Sequence, residues 1–309
     1  MKRNKQYKSS WQDVHGVFLL DKPAGITSNQ ALQKVRRVFN AKKAGHTGSL
    51  DPMATGLLPC CFGDATKVAG LMLNADKVYI AECLIGSQTD TGDATGSVVK
   101  QSSKVILTDL EIQQATKKLT GSIKQIPPMY SALHHNGKRL YQLARAGIEV
   151  ERAARDVVIH YFKVLEIKSF QGNQVIQFEI KVSKGTYIRT LLEDFAKSCG
   201  TYAHMVALKR TELGILKNEM HSLQKLQELK SPQNLLLNMD RALVEYKKLQ
   251  LSKEKIQTLI HGLRFDCDYS IGVYRIYDDM NKFIGLGEAQ KNGQFKVKSL
   301  FLKSYQEVK

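Results

Sequence analysis

The stretch Gly45-His-Thr-Gly-Ser-Leu-Asp-Pro-Met-Ala-Thr-Gly-Leu-Leu58 is the most informative part of this chain. It places one carboxylate, Asp51, in a loop of small, turn-forming and hydroxyl residues, and an apolar run follows directly. Gly45, Gly48 and Gly56 let the backbone turn and let a bulky group approach closely. From this local pattern alone, Asp51 is either a placed functional group or a turn residue that caps the next element.

The charge balance of the 309-residue chain favours a polyanionic partner. Lys and Arg total 46 against 29 Asp and Glu, which gives a net charge of +17. Nucleic acid is the first candidate and an anionic membrane surface the second, while a merely soluble basic surface is the alternative on charge alone. The basic residues near the N terminus predict a flexible basic arm over residues 1–12: Lys2, Arg3, Lys5 and Lys8.

Other parts of the composition argue against several classes of protein. No apolar run approaches the roughly 20 residues needed to cross a bilayer, and the polar N terminus lacks the apolar region of a secretory signal. The five cysteines show neither Cys-x-x-Cys nor zinc-like spacing: Cys60, Cys61, Cys83, Cys199 and Cys267. We therefore expect a cytoplasmic, reduced protein without a membrane span or a metal site.

Local patterns predict a mixture of strands and helices. Strands are predicted over 16–20, 78–84 and 175–182, and helices after an N-cap at Ser28, over 112–119 behind the capping box Thr108-Asp-Leu-Glu111, over 187–198 and over 252–261. The absence of regular βαβ alternation favours an α+β catalytic domain over 13–249. Short β-like runs and an Asn292-Gly293 hairpin turn predict a small, mostly β domain over 250–309.

Further motifs follow the opening stretch in order: Leu19-Leu-Asp-Lys-Pro-Ala-Gly-Ile-Thr-Ser28, Asp76-Lys-Val-Tyr79, Gly86-x-x-Thr-Asp-Thr-x-Asp93, Gln125-Ile-Pro-Pro-Met-Tyr-Ser-Ala-Leu133, Ser183-Lys-Gly-Thr-Tyr-Ile-Arg-Thr190 and Ala203-His-x-x-x-Leu208. Together they resemble the TruB family of tRNA pseudouridine synthases over about residues 16–210. The resemblance implies the pseudouridine synthase fold, a mixed central sheet with flanking helices. A weaker match in the tail implies an RNA-binding domain of the PUA type.

The resemblance also implies an activity: isomerisation of uridine 55 in the T-loop of tRNA, after the base is flipped out of its stack. That chemistry needs no cofactor, metal or protein partner, and nothing in the sequence demands more than a monomer. Asp51 would act as nucleophile on the sugar or as base at C2′. Because burial disfavours a charged carboxylate, a cation must keep it ionised, and the resemblance assigns this role to Arg189. Tyr79 would stack on the uracil and accept the C5 proton.

The resemblance assigns the remaining site residues supporting roles. His46 would fill the gap left by the flipped base, and Tyr187 and Leu208 would line the uridine pocket. Lys22 and Asp93 would support the site, Asp93 by helping to hold the arginine. Four of these side chains also have an ordinary alternative role when taken singly: a loop hydrogen bond for His46, core packing for Leu208, entry to a helix for Tyr187 and a turn cap for Asp93.

A basic stretch over 129–155 interleaves cations with aromatic and apolar residues: Tyr130, His134, His135, Lys138, Arg139, Leu140, Tyr141, Arg145, Arg152 and Arg155. This pattern suits an RNA backbone with exposed bases, or alternatively an amphipathic helix with a solvated face. In the family, the region of about 125–155 is an insertion that clamps the T-arm.

Two other function classes compete with this hypothesis. One is a non-catalytic RNA-binding or chaperone protein, against which the intact set of Asp51, Tyr79 and Arg189 argues. The other is a hydrolase in which Asp51 pairs with Asp90 or Asp93 as acid and base. A phosphate-binding loop is excluded more firmly, because the opening stretch lacks a Gly-Lys-Ser/Thr ending.

Overall fold

The structure is a computed structural model that describes residues 11–217 and 219–301, so most of the predicted basic arm lies outside the described residues. The strands within the described residues are β1 (Gly16–Lys22), β2 (Ala44–His46), β3 (Thr55–Phe62), β4 (Lys77–Ile85), β5 (Ser87–Thr89), β6 (Val98–Gln101), β7 (Gly121–Gln125), β8 (His134–His135), β9 (Lys138–Arg139), β10 (Arg155–Phe170), β11 (Asn173–Val182), β12 (Ala203–Leu213), β13 (Leu216–Lys217), β14 (His221–Ser222), β15 (Lys247–Gln250), β16 (Phe265–Asp266), β17 (Gly272–Tyr277), β18 (Phe283–Ala289) and β19 (Gln294–Leu300).

The α-helices of the same residues are α1 (Ser28–Val38), α2 (Ala69–Leu73), α3 (Asp109–Lys118), α4 (Leu140–Arg145), α5 (Ile188–Ser198), α6 (Leu223–Glu228) and α7 (Lys253–Ile260). Short 3-10 helices cover Gly63–Lys67, Pro232–Leu235 and Met239–Leu243. The chain packs as two compact units. Of the described residues, the first unit comprises 11–50, 58–73 and 219–301, and the second comprises 51–57 and 74–217.

The second unit is built on an antiparallel sheet in the strand order β12-β4-β11-β10-β7. The first residues of β3 extend this sheet by parallel pairing with β12, in the register Thr55 with Lys209. Helix α5 packs on the sheet through Phe195, whose ring lies 5.1 Å from that of Phe178 and 5.8 Å from that of Phe162. Between β7 and β10 the chain forms the hairpin β8–β9 and helix α4, which lie in the middle of the segment predicted as the insertion.

In the first unit, β1 pairs with β14 and β2 pairs with β3. Helix α1 begins one residue earlier than expected: Thr27, rather than the predicted Ser28, is its N-cap, and it forms a capping box with Gln30. Ser28 is instead the first helical residue, and its hydroxyl exchanges hydrogen bonds with the backbone of Leu50 (3.0 and 2.8 Å). This contact anchors the residue that precedes Asp51.

The C-terminal part of the first unit has its own sheet, in the order β15-β17-β18-β19-β16. Its core includes Ile276, Ile284 and Phe295, with α7 packed against it. Asn292 and Gly293 lie in the turn between β18 and β19, and the positive φ of Gly293 (75°) suits that turn. The expectation of a small, mostly β region at this end of the chain is confirmed.

Most local predictions in the second unit are confirmed. The strands predicted over 78–84 and 175–182 are β4 and β11, and Thr108 caps α3 in the predicted capping box with Glu111. Leu119 is the C-cap of α3, and Gly121 opens β7 with φ 100°. The predicted split into 1–12, 13–249 and 250–309 remains a prediction.

Gly56, near the end of the opening stretch, must be a glycine because the backbone of β12 passes too close to it to leave room for a side chain. Its φ is +95°, and a Cβ placed on it would lie 2.3 Å from the carbonyl oxygen of Arg210 on β12. We expect Gly56→Ala to lower the free energy of unfolding by about 2–6 kcal/mol, because a strained φ and an overpacked contact act together. Gly200→Ala is the matched control, since Gly200 has a similar φ (+72°) with open space around it. The free energy of unfolding of both variants is measured by urea denaturation. An equal loss in the two variants would show that the close approach to Arg210 does not add to the effect of the positive φ.

Candidate active site

The carboxylate of Asp51 is paired with the guanidinium of Arg189. The Nε of Arg189 lies 3.0 Å from Asp51 Oδ2, and its Nη2 donates to Oδ1 at 3.4 Å. The Arg189 side chain is 5% exposed, whereas that of Asp51 is 37% exposed. The sequence separates the two residues by 138 positions. The fold therefore leaves the Asp51 carboxylate partly exposed to solvent while it pairs with a buried guanidinium.

Arg189 stays buried because backbone carbonyls satisfy the donors that Asp51 does not use. Its Nη1 donates to the carbonyl of Thr91 at 2.7 Å, and its Nη2 donates to that of Tyr130 at 2.7 Å. The residue sits in the first turn of α5, whose N-cap is Tyr187. These contacts hold the guanidinium in one orientation, in which the edge formed by Nε and Nη2 faces the Asp51 carboxylate.

Asp93 lies on another side of the same guanidinium. Its Oδ2 is 3.9 Å from Arg189 Nη1. Its Oδ1 accepts hydrogen bonds from the hydroxyls of Thr91 and Thr95, and from the backbone N–H of Thr95. Asp93 thus accepts hydrogen bonds within a polar turn and also faces the guanidinium of Arg189. Asp90 differs, since its Oδ1 accepts from the backbone N–H of Ser97.

Tyr79 and Leu208 lie on the neighbouring strands β4 and β12. Tyr79 is paired with Arg210, and Leu208 with Ala81, so all four side chains share one face of the sheet. Tyr79 and Leu208 are both 8% exposed. Thr55, from the opening stretch, donates to the Leu208 carbonyl at 3.4 Å. Tyr79 and Leu208 are therefore diagonal neighbours on the face they share.

Tyr187 is held at both its backbone and its ring. The side chain of Gln125 accepts from the Tyr187 N–H (2.8 Å) and donates to its carbonyl (3.1 Å). The guanidinium of Arg155 lies over the Tyr187 ring, 4.9 Å from its centroid. The expectation that Tyr187 stands at the entry to a helix is confirmed.

His46 and Lys22 belong to the first unit. His46 is half-buried on β2, where it pairs with Cys60 of β3. Lys22 is fully buried at the end of β1, and its ammonium donates to the carbonyls of Pro23 (2.9 Å) and Ile26 (2.7 Å). Lys22 therefore stabilises the turn that leads into α1.

A groove of about 680 Å³ lies beside Arg189, and Tyr130 and Glu193 contribute to its lining. Burial raises the pKa of Glu193, one helical turn after Arg189, although a hydrogen bond from Gln88 (3.1 Å) opposes the shift. Burial likewise raises the pKa of Asp194. The carboxyl groups of Glu193 and Asp194 therefore stay protonated to a higher pH than exposed carboxyl groups do.

Sequence reasoning missed two groups that hold the arginine, the carbonyls of Thr91 and Tyr130. The sequence could not have predicted these two carbonyls, because every residue carries the same backbone carbonyl group. It also missed the role of Gln125, although this residue opens one of the quoted motifs. Within 11–217 and 219–301, no cluster of His, Cys, Asp and Glu could hold a metal ion, and no helix is long and apolar enough to span a bilayer.

The sequence matches the N-terminal domain of TruB family pseudouridylate synthases over residues 36–188. It also matches the tRNA pseudouridylate synthase B C-terminal domain over 189–244 and the pseudouridine synthase II TruB C-terminal domain over 248–301. The protein named tRNA pseudouridine synthase B in Hydrogenovibrio crunogenus is 44% identical over 297 residues, which is 95% of this chain and 96% of that protein. The chain belongs to the TruB family. It is a pseudouridine synthase, and hence an isomerase.

A second relative agrees with this assignment, and two solved structures share the fold. The protein of the same name in Neisseria meningitidis serogroup A is 45% identical over 92% of this chain and 93% of its own length. A chain in the crystal structure of a Cbf5–Nop10–Gar1 complex superimposes with a TM-score of 0.72 at 24% identity, covering 95% of this chain and 87% of that one. A chain of an H/ACA RNP bound to a substrate RNA containing 2′-deoxyuridine has a TM-score of 0.70 at 23% identity, over 93% and 85%. The predicted α+β pseudouridine synthase fold is confirmed.

Proposed function

We propose that this pseudouridine synthase acts on tRNA and converts uridine 55 of the T-loop, with Asp51 as the catalytic residue. The observation that carries the proposal is the ion pair in which buried Arg189 holds the partly exposed Asp51 carboxylate at 3.0 Å. Relatives named tRNA pseudouridine synthase B, similar over nearly their whole length, support tRNA as the substrate. Because a stacked nucleotide cannot offer its sugar to such a carboxylate, the target base must first be flipped out.

The chemistry rearranges the nucleotide without adding or removing atoms overall. The N1–C1′ bond of uridine breaks, the uracil rotates, a C5–C1′ bond forms, and the C5 proton is replaced by one on N1. Asp51 acts as nucleophile at C1′ or as base at C2′, and both routes need its ionised form. The neighbouring guanidinium favours that form.

We assign the other residues to the steps that surround this chemistry. Tyr79 stacks on the uracil and accepts the C5 proton, and Tyr187 and Leu208 line the uridine pocket. His46 occupies the space that the flipped base leaves. These assignments rest on the motif positions together with the placement of Tyr79 and Leu208 on one sheet face.

Two residues act in support of the site rather than on the nucleotide. Asp93 helps to hold Arg189, since its free oxygen faces the guanidinium at 3.9 Å. Lys22 supports the turn after β1, through the two carbonyls to which its ammonium donates.

We also propose how the enzyme engages tRNA. The segment of about 125–155 clamps the T-arm, and the C-terminal sheet region works as a PUA-like RNA-binding domain over 250–309, beside a catalytic domain over 13–249 and a basic arm over 1–12. The enzyme acts as a monomer without a cofactor or protein partner. All five cysteines are free thiols, which suits a reducing compartment, and we propose the cytoplasm.

The net charge of +17 leads to a prediction about salt. If about four tRNA phosphates are neutralised on binding, the affinity for unmodified tRNA should fall on the order of 100-fold between 50 and 200 mM KCl, because condensed counterions are released. Filter binding at several salt concentrations measures this slope, with DNA of equal length as a competitor. A flat salt response would mean that the basic surface is not the RNA site.

The reaction itself is tested by release of tritium from C5-labelled uridine in an unmodified tRNA transcript. We expect release from the wild-type transcript and none from a transcript in which uridine 55 is replaced by cytidine. Release that persists with the changed transcript would assign the enzyme to another uridine. Binding of tRNA without any release would favour the alternative of a non-catalytic RNA chaperone.

A further inference from the structure

We propose that Gln125 and Arg155 are positioning residues for the isomerisation, because together they fix Tyr187 at the entry to the helix that carries Arg189. This inference rests on the proposed function only for its activity readout. Gln125 and Arg155 are the facing pair at one end of the β7–β10 ladder. One member holds the backbone of Tyr187, and the other holds its ring.

Gln125 replaces a helix cap that α5 lacks. Tyr187 is the N-cap of α5, and its own side chain makes no capping hydrogen bond. The Gln125 amide, which is 1% exposed, binds both backbone groups of Tyr187 at 2.8 and 3.1 Å. In a capping box, a side chain three residues into the helix reaches back to the N-cap N–H. In α5, Gln125 at the end of strand β7 accepts this hydrogen bond from the N-cap N–H instead.

Arg155 makes a contact of a different kind with the same residue. Its guanidinium carbon lies 4.9 Å from the centroid of the Tyr187 ring. Its Nε and Nη2 are buried and have no hydrogen-bond partner among the described residues. Unpaired buried donors are unfavourable, so their presence calls for a compensating interaction. The cation over the Tyr187 ring is the compensating contact that the described residues offer.

The position of Tyr187 matters because Arg189 follows it by two residues in the first turn of α5. The segment that begins at Gln125 also brings the Tyr130 carbonyl to Arg189 Nη2 (2.7 Å). Loss of the Gln125–Tyr187 contact therefore loosens both the helix start that carries Arg189 and the segment that carries one of its acceptors. Misplacement of a catalytic group by about 1 Å can lower turnover on the order of 100-fold.

The same pair of hydrogen bonds occurs elsewhere in the second unit and provides a matched control. Gln174 is 9% exposed, accepts from the N–H of Leu107 at 3.0 Å and donates to the Leu107 carbonyl at 3.2 Å. We expect Gln125→Leu to lower kcat about 10- to 100-fold, while KM changes less than threefold. Gln174→Leu should lower the melting temperature by a similar amount and leave kcat within twofold. Equal kcat for the two variants would overturn the inference.

Arg155 is tested by its dependence on the Tyr187 ring. Arg155→Met should lower kcat several-fold, whereas Lys163→Met, which removes a cation over Tyr161 on the same strand (4.6 Å), should not. Because Arg155 acts through the ring, its substitution should have no further effect in a Tyr187→Leu background. The same fold-loss in both backgrounds would show that Arg155 does not act through Tyr187.

Amide hydrogen exchange separates this inference from the proposed function. The Tyr187 N–H donates to Gln125, so we expect its exchange to accelerate at least tenfold in Gln125→Leu and to stay unchanged in Gln174→Leu. Unchanged exchange in Gln125→Leu would overturn the inference whether or not the chain is active on tRNA. Absence of tritium release by the unaltered chain would instead reject the proposed function.

Discussion

Asp51→Asn is expected to reduce tritium release by on the order of 10⁴-fold or more, because an amide can neither attack C1′ nor accept a proton at C2′. The substitution changes little else. Arg189 keeps its bonds to the carbonyls of Thr91 and Tyr130, and the side chain of residue 51 keeps its size and its partial exposure. Single-turnover assays with excess enzyme measure the loss without interference from product release.

The affinity of the Asp51→Asn variant for tRNA should be equal to or slightly higher than that of the unaltered chain, since a negative charge near a polyanion is removed. Asp90→Asn is the matched control: it removes the same charge from a turn where Asp90 accepts from Ser97, and it should keep turnover within about twofold. Loss of turnover in Asp90→Asn as well would favour the hydrolase-like pairing of two acids. Loss of tRNA binding in Asp51→Asn would show that Asp51 contributes to binding and does not act only in the chemical step.

Arg189→Lys should lower turnover on the order of 100- to 1,000-fold while changing tRNA affinity less than threefold. The guanidinium contacts Asp51 through two nitrogens and binds two carbonyls at 2.7 Å, whereas a lysine has one nitrogen and cannot meet these acceptors together. At least one buried acceptor is left without a donor, at about 1–3 kcal/mol, and the carboxylate loses its fixed orientation. Quench-flow kinetics with labelled tRNA separate the two effects.

Arg36→Lys provides the control for Arg189→Lys. Arg36 also binds two backbone carbonyls, those of Ala41 and Lys42, each at 2.9 Å. Its replacement should lower the melting temperature without lowering kcat. If Arg189→Lys behaved in the same way, with turnover unchanged, Arg189 would be a structural residue and Asp51 would need another source of its ionised state.

The elements predicted best from sequence are those determined by residues close together in the chain. The capping box of Thr108 and Glu111 places the start of α3, and the Asn292-Gly293 turn joins β18 to β19. The predicted start of α1 lies one residue too late, because Thr27 and Ser28 are both good caps. The choice between them depends on a contact of Ser28 with Leu50, which lies 22 residues away.

The sequence by itself determined the family, since its motifs recur in order and few of their positions are free to vary. Through the resemblance to that family it also indicated Asp51 and Arg189, which their local patterns alone leave open. Only the tertiary structure decided what holds Arg189 in place: carbonyls 98 and 59 residues away, and the amide of Gln125 on the backbone of Tyr187. The physical reason is that backbone carbonyls are identical in every residue, so their position becomes informative only after the chain has folded.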